Sequence, residues 1–132
     1  HFTYIRKATH ADIKRNSYIM TKITDFDAIE TQQIQGHIDQ RWPDEVIAIE
    51  IADVELELNE INAESASYPT VVWQAEDCTF LLIKAAKDEF RGLFFYEDNQ
   101  HFSTDQHYFT EINHCVITLI QTQAEFADAA KA

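Results

Sequence analysis

Residues 70–97 read TVVWQAEDCTFLLIKAAKDEFRGLFFYE, and this stretch decides the fold. Three runs rich in β-branched and aromatic residues, TVVWQA, TFLLIKAA and FRGLFFYE, are separated only by the polar EDC and KDE. Connections this short predict an antiparallel meander with acidic turns. The second and third runs are apolar on both parities: Phe80 and Leu82 oppose Leu81 and Ile83, and Phe94 and Tyr96 oppose Leu93 and Phe95. A strand with two apolar sides needs cover twice. Either two helices flank the sheet on opposite sides, or both lie on one side and the second side makes a subunit interface, the expectation of a homodimer.

Upstream, Ile47, Ile49 and Ile51 share one parity, whereas Val54, Leu56 and Leu58 share the other. One regular strand cannot bury both sets on one face, which predicts a strand with a bulge or bend near Ala52 and Asp53. Asp53, Glu55 and Glu57 alternate with the second apolar set, and Glu60 follows. In a strand these carboxylates stand roughly 7 Å apart on one face, close to the phosphate repeat of a nucleic-acid strand. They are therefore the candidate partner-binding residues: such a row imitates a polyanion and fits a basic groove. The plainer reading is that they solvate the outer side and deter edge-to-edge pairing.

Helix signals bracket the strands. Thr24 offers an N-cap and Asp27 a first-turn acid. Residues of good helical propensity then run to Trp42, where Pro43 stops them, with Phe26, Ile29, Ile34, Ile38 and Trp42 as a broad apolar stripe. Near the end, Ser103 with Gln106 matches a capping box. Tyr108, Ile112, Cys115, Val116, Leu119, Phe126 and Ala130 recur at three- and four-residue steps, predicting a helix from Thr104 to Ala129. The expected fold is thus one α+β domain: a four- to five-stranded antiparallel meander with an N-terminal helix and a long C-terminal helix packed on the sheet.

Charge divides the chain. Residues 1–22 carry five cationic side chains against Asp12 alone, a net +4, which leaves −17 on the rest of a chain whose net charge is −13. Residues 1–22 read as a basic extension, either loosely attached or docked on the body, and 23–132 as the acidic α+β domain. An acidic body repels nucleic acid and anionic membrane and favours a basic protein partner. The apolar runs fall far short of the ~20 residues of a membrane span, and no signal-type stretch opens the chain, so a cytoplasmic location is expected.

Chemistry is sparse. Two glycines, Gly36 and Gly92, give no phosphate-cradling loop, and no nucleotide cofactor is expected. Cys78 and Cys115 are isolated and read as buried reduced thiols rather than nucleophiles. His107, Glu111 and His114 fall at i, i+4 and i+7 of the expected helix and are the candidate metal ligands, though they lie on its polar flank. Trp73, Phe94, Tyr96 and Tyr108 could line an apolar pocket between sheet and helix. The leading expectation is a non-catalytic acidic domain, of the inhibitor, immunity or antitoxin kind, acting on a basic partner surface. The alternative is a small-molecule binder or small enzyme built on that pocket.

Overall fold

The computed structural model describes residues 25–56, 66–96 and 101–131. Its elements are α1 (Ala28–Arg41), β1 (Glu50–Leu56), β2 (Ala66–Ala75), β3 (Cys78–Ala86), β4 (Glu89–Tyr96), β5 (His101–Ser103) and α2 (Ile112–Lys131). The five strands form one antiparallel sheet in chain order, β1-β2-β3-β4-β5, as the short acidic turns predict. Among the described residues, no helix is long and apolar enough to cross a membrane.

The first helix starts later than its sequence suggests. Asp27, not Thr24, is the N-cap: its carboxylate accepts from Glu30 N at 2.7 Å, while Glu30 Oε1 accepts from Asp27 N at 2.9 Å. Two amide donors at the helix start are satisfied reciprocally, which makes this the stronger boundary. Ile34 and Ile38 face the core, but Ile29, expected on the same stripe, is 66% exposed.

β1 pairs with β2 without interruption, from Glu50 opposite Val72 to Leu56 opposite Ala66. The bulge expected near Ala52 and Asp53 is absent. The two apolar parities instead serve two different faces. Ile47 is buried in the core beneath the helices and Ile49 packs against it, whereas Ala52 and Val54 enter a separate cluster on the far side of the sheet. A bulge does occur elsewhere, between Lys84 and Ala86 where β3 leaves its register with β4.

Both helices lie on one side. Ile34 and Ile38 of α1 share a core with Ile112, Cys115, Val116 and Leu119 of α2, over Val71, Trp73, Phe80 and Phe94 of the sheet. His37 Nε2 and Asn113 Oδ1, hydrogen-bonded at 2.9 Å, tie the helices together. The floor of this core is a row of aromatic side chains in register across four strands: Trp73 opposite Phe80, Phe80 opposite Phe94, and Phe94 opposite Phe102. Trp73 stacks on Phe80 at 5.1 Å and Phe94 on Phe102 at 5.2 Å, with the Trp42 ring edge-on to Phe80 at 5.6 Å and Phe126 seated 4.3 Å from Phe102. Aromatic pairs of this kind contribute about 0.5–1.5 kcal/mol each beyond their buried area.

The second helix begins eight residues after the predicted Thr104. Ser103 ends β5, and Thr104 Oγ1 donates to Gln106 O at 2.7 Å, turning the chain. Phe109 then pairs with Phe90 through two backbone hydrogen bonds of 2.8 Å. This long-range bridge holds the segment extended, and only from Ile112 is the backbone free to wind.

Candidate functional site

Asp53 stands opposite Pro69, one step from Ile51 opposite Val71, so its side chain leaves the sheet on the side where the helices pack. It is half-buried there. Glu55 follows at the same parity, opposite Ser67; its side chain, like all of Glu57 and Glu60, lies outside the described residues. Of the four expected partner-binding residues, the structure therefore places Asp53 and the backbone of Glu55.

That same side of the sheet holds a buried cation. Lys84 shares the parity of Phe80 and Leu82 and is only 5% exposed. Its ammonium donates to Glu30 Oε1 at 3.3 Å and to Asp25 O at 3.3 Å, and it sits 5.6 Å from the centre of the Phe26 ring. Glu30 thus serves twice, as the partner of the α1 cap and as the counter-ion of Lys84. The arrangement ties the start of α1 to the end of β3. Its signal was present in the sequence: a single lysine at a core parity inside TFLLIKAA.

A second polar cluster closes the opposite end of the sheet. The turn between β2 and β3 consists of Glu76 (φ 55°) and Asp77 (φ 60°), both in the left-handed region. That is the twist a two-residue hairpin needs, but without the usual glycine. The Glu76 carboxylate accepts from Trp42 Nε1 at 2.7 Å and from Arg41 Nη2 at 3.1 Å, which pins the turn to the end of α1. Asp77, Asp44 and Glu45 are exposed around it. The C-terminus of α1, which carries a partial negative charge, therefore lies at this acidic corner. α2 passes the β4 end nearby, where Gln123 Nε2 donates to the hydroxyl of Tyr96, whose β-partner is Cys78.

The expected metal ligands do not share a helix face, because His107 and Glu111 precede α2. Among the described residues, no group of three His, Cys, Asp or Glu side chains is placed to hold a metal ion. His107 and His114 do meet, with Gln106, Tyr108 and Thr110, around an open surface hollow of about 360 Å³. His114 rests edge-on to Phe109 at 4.9 Å. Of the expected pocket residues, Trp73 and Phe94 lie in the aromatic row with Phe80 between them, Tyr96 sits beside Phe94, and Tyr108 is apart from all three in the hollow.

Both thiols are free and buried. Burial pushes the Cys115 thiol up to about 12. Burial likewise raises Cys78 to about 11, against a smaller lowering by its hydrogen bond with Tyr96. Neither is poised as a thiolate nucleophile at neutral pH.

Comparison with family models, with curated proteins and with solved structures yields no match for this chain.

Proposed function

We propose that this chain is a non-catalytic protein-binding domain that docks a basic partner surface through its acidic corner, in the manner of an inhibitor, immunity protein or antitoxin. The observation that carries this reading is the hydrogen-bonded anchoring of that corner to α1. Glu76 and Asp77 occupy a turn held against α1 by the 2.7 Å bond from the Trp42 indole, with Asp44, Glu45 and Asp77 exposed beside it. Carboxylates fixed on an ordered turn lose little freedom on binding, and the C-terminus of α1 adds to their field. Complementary charge of this kind gives fast, salt-sensitive association and selects against acidic partners. The β1 residues Asp53, Glu55, Glu57 and Glu60 are a second set of carboxylates for the same role.

The pocket alternative has less support. Trp73 and Phe94 are buried in the core, Tyr96 packs against it, and the hollow at Tyr108 is open to the surface.

The test is affinity enrichment from the native host with the tagged chain, at low and high salt. A basic protein retained at low salt, and lost at least tenfold with the triple variant Asp44→Lys, Glu45→Lys, Asp77→Lys, supports the reading. The single variant Asp53→Lys then separates the corner from the β1 row. Equal retention by wild type and triple variant would remove the corner from the interface.

A further inference from the structure

The hollow beside the start of α2 is walled by two imidazoles. His107 and His114, both exposed, line its volume of about 360 Å³ together with Gln106, Tyr108 and Thr110. His37 commits its Nε2 to Asn113, whereas among the described residues His107 and His114 make ring contacts alone, with Tyr108 at 6.4 Å and Phe109 at 4.9 Å. Their ring nitrogens are left to solvent or to a ligand. The backbone that presents them is held in place. Thr104 Oγ1 donates to Gln106 O at 2.7 Å and Gln106 Nε2 to Tyr108 O at 2.9 Å, which fixes the chain on either side of His107. The paired backbone bonds of Phe109 with Phe90, and the bond from His37 to Asn113, do the same for the chain leading into His114.

We propose that this hollow binds a divalent transition-metal ion of the Cu²⁺, Ni²⁺ or Zn²⁺ kind, held by His107 and His114 with water in the remaining positions. Imidazole nitrogen suits these ions, whereas Mg²⁺ and Ca²⁺ need oxygen ligands that the hollow does not offer in number. Among the described residues no third His, Cys, Asp or Glu side chain completes the set, so the site is of the open, exchangeable type rather than a closed structural one. The Thr110 hydroxyl and the Tyr108 phenol belong to the same wall, where they can hydrogen-bond coordinated water. Charge favours a cation here: Asp105 and Glu111 are exposed on the same segment, and the chain as a whole carries −13. Because the segment is already pinned, little ordering remains to be done when the ion arrives.

The experiment titrates the full chain with ZnCl₂, and separately with CuCl₂ and MgCl₂, while the imidazole Cε1–H signals are followed by NMR. Zinc should shift the His107 and His114 signals together with one shared dissociation constant, and substoichiometric copper should broaden these two before those of the other histidines. Magnesium should move neither. In His107→Ala the zinc response of His114 should weaken by roughly tenfold or more, and in His114→Ala that of His107 likewise, the scale on which even the supporting residues of metal ligands act. His114→Phe keeps a ring against Phe109 and serves if the alanine variant fails to fold. Separate constants for the two histidines, an unchanged constant in either variant, or no response to millimolar zinc would each overturn the proposal.

Discussion

At the scale of single residues, the two glycines have opposite meanings. Gly92 lies on β4 beneath α2, and a Cβ added there would meet Leu119 Cδ1 at 3.1 Å and its Cβ at 3.2 Å. Leu119 is fully buried, so it has little room to give the few tenths of an ångström that the added methyl needs. Gly92→Ala should destabilise the fold by about 1–3 kcal/mol, measured by urea unfolding. Gly36, exposed on α1, has nothing within 4 Å of that position. Gly36→Ala should stabilise by about 0.5–1 kcal/mol, because it gains helix propensity without a clash. The thiols set an alkaline limit. A thiol whose pKa is raised by folding contributes stability that is complete below its unfolded value and is lost as pH climbs through the folded one. For Cys78 and Cys115, raised from 9.0 to about 11 and about 12, the melting temperature should hold to pH 9 and fall between 9 and 12. Cys78→Ala should lessen that fall, whatever it does to stability at pH 7.

At the scale of elements, the β2–β3 hairpin is the strained piece. Two non-glycine residues in the left-handed region cost about 1–2 kcal/mol each relative to glycine. Glu76 recovers part of this through its bonds to Trp42 and Arg41, and Asp77 has exposure alone. Asp77→Gly should therefore raise the unfolding free energy by about 1 kcal/mol in a thermal melt, leaving the Glu76 contacts intact. The existence of both helices and of β1, β2, β3 and β4 was legible in hydrophobic spacing and turn chemistry, whereas the three residues of β5 carry no such signal. The start of α2 was not legible either. Ser103 and Gln106 satisfy a local rule, but two backbone bonds between Phe109 and Phe90, partners distant in sequence, outweigh it. The β1 parity change was likewise visible, but its cause was misread: two covered faces, rather than a bulge, account for it.

At the scale of the whole molecule, charge and layering dominate. A net charge of −13 on a 132-residue chain repels itself, and salt shortens the range of that repulsion from ~30 Å at 0.01 M to ~8 Å at 0.15 M. The melting temperature should rise by a few degrees over that interval of sodium chloride. A fall instead would mean that attractive pairs, such as Lys84 with Glu30 or the basic residues 1–22 with the acidic body, outweigh the repulsion. The candidate site was only partly readable from residue types. The acidic turns stood out in the sequence, but the assembly of the Glu76 turn with Trp42 and the end of α1 depends on contacts between elements far apart in the chain.

The amino-acid sequence by itself determined an antiparallel meander with apolar side chains on both faces, a helix at either end of it, and a strongly negative body, because periodicity, turn length and charge are properties of neighbouring residues. Only the tertiary structure decided that both helices share one side, that Trp73, Phe80, Phe94 and Phe102 align into one row, and that Lys84 and Glu76 each bind an element distant along the chain. Those outcomes follow from strand register and helix placement, which are set by packing between elements and leave no mark on local spacing.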